Sequence, residues 1–140
     1  MVSQRTTSVE RIPVPAVRRR SVLVLDDDRD VAQTIKDVIE DQGYRAICVG
    51  NGREALAILE QHPVQFVFTD LAMPVMTGTE LLREMQARDQ WRGIVRVVIT
   101  TDGSDSRRHE ADGLSVSVYV EKPFRPEEMR DVLTSLTPAS

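Results

Sequence analysis

The chain has 140 residues, 41% of them hydrophobic, a formal net charge of −4 and one cysteine, Cys48. Such a length and apolar content give one domain with a sizeable core and little room for a second. A single cysteine excludes an internal disulfide and fits a reducing cytosol, and no apolar run approaches the ~20 residues of a membrane span or forms the core of a secretory signal.

Residues 1–20 hold five arginines (Arg5, Arg11, Arg18, Arg19 and Arg20) against Glu10 alone. This reads as a basic, disordered tail, able to touch an acidic partner or a membrane surface. The remaining residues carry 13 basic and 21 acidic groups. That acidic body disfavours direct nucleic-acid binding through phosphate neutralisation. The first strand is expected at Ser21–Leu25, a continuous apolar run that stops abruptly in acid, as a buried parallel strand should. A helix follows over Asp30–Gln42, with Val31, Ile35, Val38 and Ile39 on one face and Gly43 as its stop. Tyr44–Val49 is the second strand, in which Cys48 is expected to be buried. Asn51–Gln61 is the second helix, ended by Pro63, and Val64–Thr69 the third strand, again ending in an acid, Asp70.

Gly78–Arg88 forms a helix through Leu81, Leu82 and Met85. Trp91 falls in a charged loop beyond it, with a ring edge that can pack on the domain. Ile94–Ile99 is the fourth strand, ending at Thr100, and Val116–Val120 the fifth, ending just before Lys122. Pro126–Leu136 is a closing helix through Met129, Val132, Leu133 and Leu136. Between strands four and five, residues 101–115 offer only Ala111 and Leu114 as apolar anchors, so the fourth helix expected there is short and loosely held. Strands alternating with helices imply an α/β fold: one doubly wound, five-stranded parallel sheet covered on both faces. The domain is expected over residues 21–137, leaving 138–140 as a C-terminal tail.

In an open parallel sheet, ligands bind outside the carboxyl ends of the strands. Here those ends gather Asp26, Asp27 and Asp28, then Asp70, Thr100 and Lys122. Carboxylates so placed raise one another's pKa unless a cation intervenes. A hard divalent ion with oxygen ligands answers that, and magnesium suits a site of few carboxylates. Asp70 is then a carboxylate nucleophile, with Thr100 a hydrogen-bond donor and Lys122 a positive clamp for a phosphoryl group. Asp28 is read as a helix N-terminal acid rather than a metal ligand. An EF-hand reading of Asp26-x-Asp28-x-Asp30 fails because Val31 stands where that loop needs glycine. His62 and His109 have no metal-ligand spacing and are read as surface residues.

Four runs, VLVLDDD (Val22–Asp28), FTDLAMPVMTG (Phe68–Gly78), VVIT (Val97–Thr100) and YVEKPF (Tyr119–Phe124), together resemble the response regulator receiver domain family of two-component signalling. The resemblance covers about residues 21–137 and implies the flavodoxin-like strand order 2-1-3-4-5. It implies Mg2+ (or Mn2+) held by Asp26, Asp27, Asp70 and the main-chain carbonyl of Ala72, with Asp26 acting through water. It implies Asp70 as phosphoacceptor, Thr100 and Tyr119 as the switch pair, Lys122 as the phosphate-contacting lysine and a cis Lys122–Pro123 bond. The implied partners are a histidine kinase or a histidine phosphotransfer protein. A homodimer through the fourth helix, fifth strand and fifth helix is also within the family's habits, and the cytoplasm is the implied location. The family is a phosphoacceptor signalling module rather than a turnover enzyme.

Two departures stand out. Thr101 lies where receivers usually carry Ala or Gly, and Ala72 offers no side chain to an attacking water. Both point to a long-lived phosphoryl group. A haloacid-dehalogenase-type phosphohydrolase is disfavoured, because Asp30 stands where its motif needs Thr or Val and no cap domain fits. The chain reads as a stand-alone receiver, serving a phosphorelay or binding a target directly. The alternative is a receiver portion of a larger response regulator or hybrid kinase.

Overall fold

The computed structural model describes residues 20–71, 76–100 and 113–136. In chain order it contains β1 (Ser21–Leu25), α1 (Arg29–Asp41), β2 (Arg45–Val49), α2 (Gly52–Gln61), β3 (Phe66–Thr69), α3 (Gly78–Ala87), a 3-10 turn (Asp89–Trp91), β4 (Val95–Thr100), β5 (Val116–Glu121) and a C-terminal helix (Pro126–Leu136). The strands form one sheet in the order β2-β1-β3-β4-β5. Every pairing is parallel.

Period-two alternation along buried strands feeds two cores. Leu23 and Leu25 of β1 face Leu59, Leu81, Leu82 and Met85 of α2 and α3. Val22 and Val24 face Ile35, Ile39, Met129 and Leu133 of α1 and the C-terminal helix. β1 and β3 lie in the middle of the sheet with nearly every residue buried, so their runs are apolar on both faces.

Local sequence fixes where the helices start. Asp28 caps α1, accepting from the amides of Asp30 and Val31. Asn51 caps α2 through the amide of Glu54. Thr77 and Glu80 form a reciprocal capping box at α3. After α1, Gly43 takes φ +90°, the left-handed conformation that turns the chain into β2.

One expectation changes, and two further residues are buried. Cys48 is exposed rather than buried, because β2 is an edge strand covered on one flank only. Trp91 is buried within its 3-10 turn, with the Arg88 guanidinium stacked 4.6 Å from the ring centroid. Arg96, within what reads as an apolar strand, is also buried. Its Nη2 donates to the Trp91 carbonyl at 2.9 Å, while its Nε has no hydrogen-bond partner. Burial pushes its pKa down. The fourth helix expected between β4 and β5 falls largely outside the described residues, although Leu114 is buried as an anchor.

Candidate functional site

The hydrogen-bonded strand ends place the polar residues side by side. Asp70 N donates to Leu25 O at 3.1 Å, Asp26 N to Val49 O at 3.4 Å and Lys122 N to Thr100 O at 2.9 Å. Each polar residue therefore sits at the carboxyl edge of its strand with its backbone fixed by the neighbouring strand. Asp26, Asp70 and Thr100 are all buried.

Lys122 joins two of the acids. Its Nζ lies 2.7 Å from Asp26 Oδ2 and 2.8 Å from Asp70 Oδ2. The contact with Asp70 is an aligned hydrogen bond, whereas Asp26 Oδ2 meets the ammonium as an ion pair outside hydrogen-bond alignment. Asp26 Oδ1 accepts from Asp28 N at 2.9 Å. Burial raises the pKa of Asp26, outweighing the opposing effects of Lys122 and the Asp28 amide. For Lys122 burial acts downward, but the two carboxylates outweigh it and the ammonium is held above its usual range. The result is a charged triad in a low-dielectric setting with net negative charge.

The remaining expected residues fall as follows. Thr100 ends β4 opposite Glu121, next to the pair of Lys122 and Asp70. Tyr119 is half-buried beside Val98 and packs on the α2–α3 core. Asp27 is exposed at the rim of the same edge. Ala72 and Thr101 lie outside the described residues. The Lys122–Pro123 peptide bond is cis.

The donor chemistry fits a hard divalent ion. Its carboxylates supply hard oxygen donors, and the buried Asp26 Oδ2 already faces a cation, the Lys122 ammonium at 2.7 Å. Among the described residues no three acidic, histidine or cysteine side chains are grouped so as to hold a metal ion by themselves. Magnesium does not need such a group, since it commonly keeps several waters and uses one or two carboxylates.

Gly78 is a positioning residue that the spacing of the apolar residues did not reveal. Its amide donates to Leu71 O at 3.0 Å, and a Cβ there would collide with the main-chain carbonyl of Asp70. Only glycine lets the start of α3 press against the Asp70 backbone. The Thr69 hydroxyl holds the same carbonyl at 2.8 Å. The sequence signal is the Thr-Gly pair before Glu80, which marks the helix start but not the close approach.

The family model for the response regulator receiver domain matches residues 22–134. The chain belongs to that family, whose members are signalling domains of two-component systems. It is 32% identical to the sensory transduction protein RegX3 of Mycolicibacterium smegmatis, over 78% of this chain and 46% of that protein. It is 27% identical to sporulation initiation phosphotransferase F of Bacillus subtilis, over 84% of this chain and 93% of that protein. Among solved structures, the chemotaxis protein CheY4 of Vibrio cholerae superposes with a TM-score of 0.79 at 28% identity, covering 85% of this chain and 99% of that one. Against the first relatives matched, the chain spans about half of their length or less. Among the described residues no helix is long and apolar enough to cross a membrane.

Proposed function

We propose that Asp70 accepts a phosphoryl group from a phosphorylated histidine of a kinase or phosphotransfer protein, and that the modified domain then alters its binding of a partner. The observation that carries this reading is the contact of the Lys122 ammonium, at 2.8 Å, with the carboxylate of Asp70 at the strand edge. A carboxylate Oδ attacks phosphorus as the donor's N–P bond breaks, and the departing imidazole nitrogen takes the electron pair and a proton. The product is an acyl phosphate on Asp70. Lys122 neutralises an oxygen of the incoming group, and the Thr100 hydroxyl donates to another.

Asp26, Asp70 and, at the rim, Asp27 would hold a magnesium ion, which would supply charge neutralisation for phosphoryl oxygens. The Ala72 carbonyl belongs to that proposed ligand set. Substituting a cation for repulsion between carboxylates also explains why the site keeps a buried acid whose ionisation burial opposes. Thr100 and Tyr119 are the proposed switch residues, since the first ends β4 beside the acceptor and the second lies on the adjoining strand. The chain performs one transfer per activation rather than multiple turnover, and a cytoplasmic location suits a cytoplasmic donor.

A cleft of about 170 Å3 lined by Asp30, Val31, Thr34, Lys122, Pro123 and Phe124 opens beside the site. It is a suitable approach for the donor helix, with an apolar floor next to the reacting edge. The test is incubation with magnesium and acetyl phosphate, followed by intact mass. One phosphoryl group is expected on the chain and none on Asp70→Asn. Equal incorporation in both proteins would show that the acceptor is another residue.

A further inference from the structure

A second concavity, of about 420 Å3, lies away from the phosphoryl site, at the amino-terminal edge of the sheet. Its apolar lining is Leu59, Val64, Trp91 and Ile94, and Glu60 and His62 stand on its polar rim. Leu59, Val64 and Trp91 are otherwise buried core residues, so the cavity reaches the side of the α2–α3 core. Its wall is held in place: Arg88 stacks on Trp91 and pairs with Glu60 at 3.6 Å.

We infer that this groove binds the chain's own leader, through Ile12-Pro13-Val14-Pro15-Ala16-Val17. The chain's path brings the leader there. β1 begins at Ser21, whose carbonyl accepts from Gln65 N at 2.8 Å, and Gln65 directly follows the groove residue Val64. Residues 12–17 therefore stand only a few residues from a root fixed beside the groove, within an extended reach of about 3 Å per residue.

The chemistry of the segment suits the groove. An Ile-Pro-Val-Pro run favours the extended polyproline conformation, which loses little entropy on binding and docks on aromatic-lined apolar grooves. Charge agrees as well. α1 and α2 both end at this edge without a basic residue in the last turn. Glu40 and Asp41 of α1 and Glu60 of α2 add acidic side chains to those negative helix ends. Arg18, Arg19 and Arg20 follow the apolar run in sequence and precede β1, so a docked leader would carry them past that acidic edge. A short tether gives an effective concentration of about a millimolar, so even a contact of millimolar affinity is substantially populated.

The tethered leader would cover the groove irrespective of phosphorylation, since the groove is at the opposite edge of the sheet. Trp91 lines the groove but is itself buried, so occupancy is read from the backbone amides of the lining. In the full chain, Ile12→Asp/Val14→Asp is expected to shift the amide resonances of Leu59, Val64 and Ile94 and to leave those beside Lys122 in place. An unchanged far-ultraviolet circular dichroism spectrum excludes misfolding of the variant. A second arm uses Cys48→Ser/Val14→Cys carrying a nitroxide. Amides of Leu59, Val64 and Ile94 should be broadened, and those beside Lys122 should not, at every protein concentration. Unchanged groove resonances in the double variant with no selective broadening would overturn the inference. Broadening that appears only when labelled and isotope-enriched chains are mixed would also overturn it, by assigning the groove to the leader of a second copy.

Discussion

Replacing Lys122 with methionine isolates the electrostatic design of the site. The side chain keeps its length and apolar stem but loses the ammonium that touches Asp26 at 2.7 Å and Asp70 at 2.8 Å. Both carboxylates are buried and both lose their shared cation. Removing one member of a buried ion pair typically costs about 3–5 kcal/mol, and the partial exposure at this edge favours the lower end, about 3 kcal/mol. With a urea dependence of about 2 kcal/mol per molar for a domain of this size, the unfolding midpoint should fall by about 1.5 M at pH 7. The deficit must shrink as Asp26 protonates, because burial raises its pKa and a neutral acid does not need the ammonium. Magnesium should restore part of it at neutral pH by supplying the missing charge. Urea titrations of both proteins at pH 7 and near pH 4, with and without magnesium, read all of this. A deficit equal at the two pH values would refute the electrostatic reasoning and assign the loss to packing.

Asp26→Asn should raise the melting temperature at pH 7, because burial opposes ionisation there and outweighs the help from Lys122. The sign follows from a folded pKa above the unfolded 3.8: the ionised group costs stability as pH rises past that value, and the gain from substitution should vanish below it. The same variant should bind magnesium more weakly, measured by titration. Gly78→Ala should destabilise the domain by about 2 kcal/mol or more and slow labelling of Asp70, since its Cβ meets the Asp70 carbonyl; urea unfolding and intact mass check both. Arg96→Met should stabilise the domain in a thermal melt, because it removes a buried guanidinium with an unpartnered Nε. The Trp91 carbonyl keeps the Ile94 amide as a donor, so no new orphan acceptor is left.

The alternation of apolar runs with helical faces carried the fold, and the reason is physical. Strands such as Val22–Leu25 and Phe66–Phe68 are buried on both sides, so they read as unbroken apolar runs bounded by acid. The grouping of Asp26, Asp70 and Lys122 was legible for the same reason, since these polar residues interrupt those runs at their carboxyl ends. What was not legible depends on tertiary contacts. Cys48 looks like a core residue until β2 is known to be an edge. Arg96 is hidden inside an apolar pattern because one long side chain can reach a backbone carbonyl from a buried position. Gly78 resembles an ordinary helix start, and its need for glycine comes from the chain passing it at Asp70. The bridging of Asp26 and Asp70 by one ammonium is likewise a distance, which no spacing along the chain encodes.

The most direct test of Asp70 as the acceptor is chemical trapping of the acyl phosphate. After exposure to acetyl phosphate and magnesium, borohydride reduces an aspartyl phosphate to homoserine, and peptide mass then locates it. Homoserine at position 70, absent without the phosphodonor, is the predicted result. Homoserine at Asp26 or Asp27 with position 70 intact would contradict the assignment.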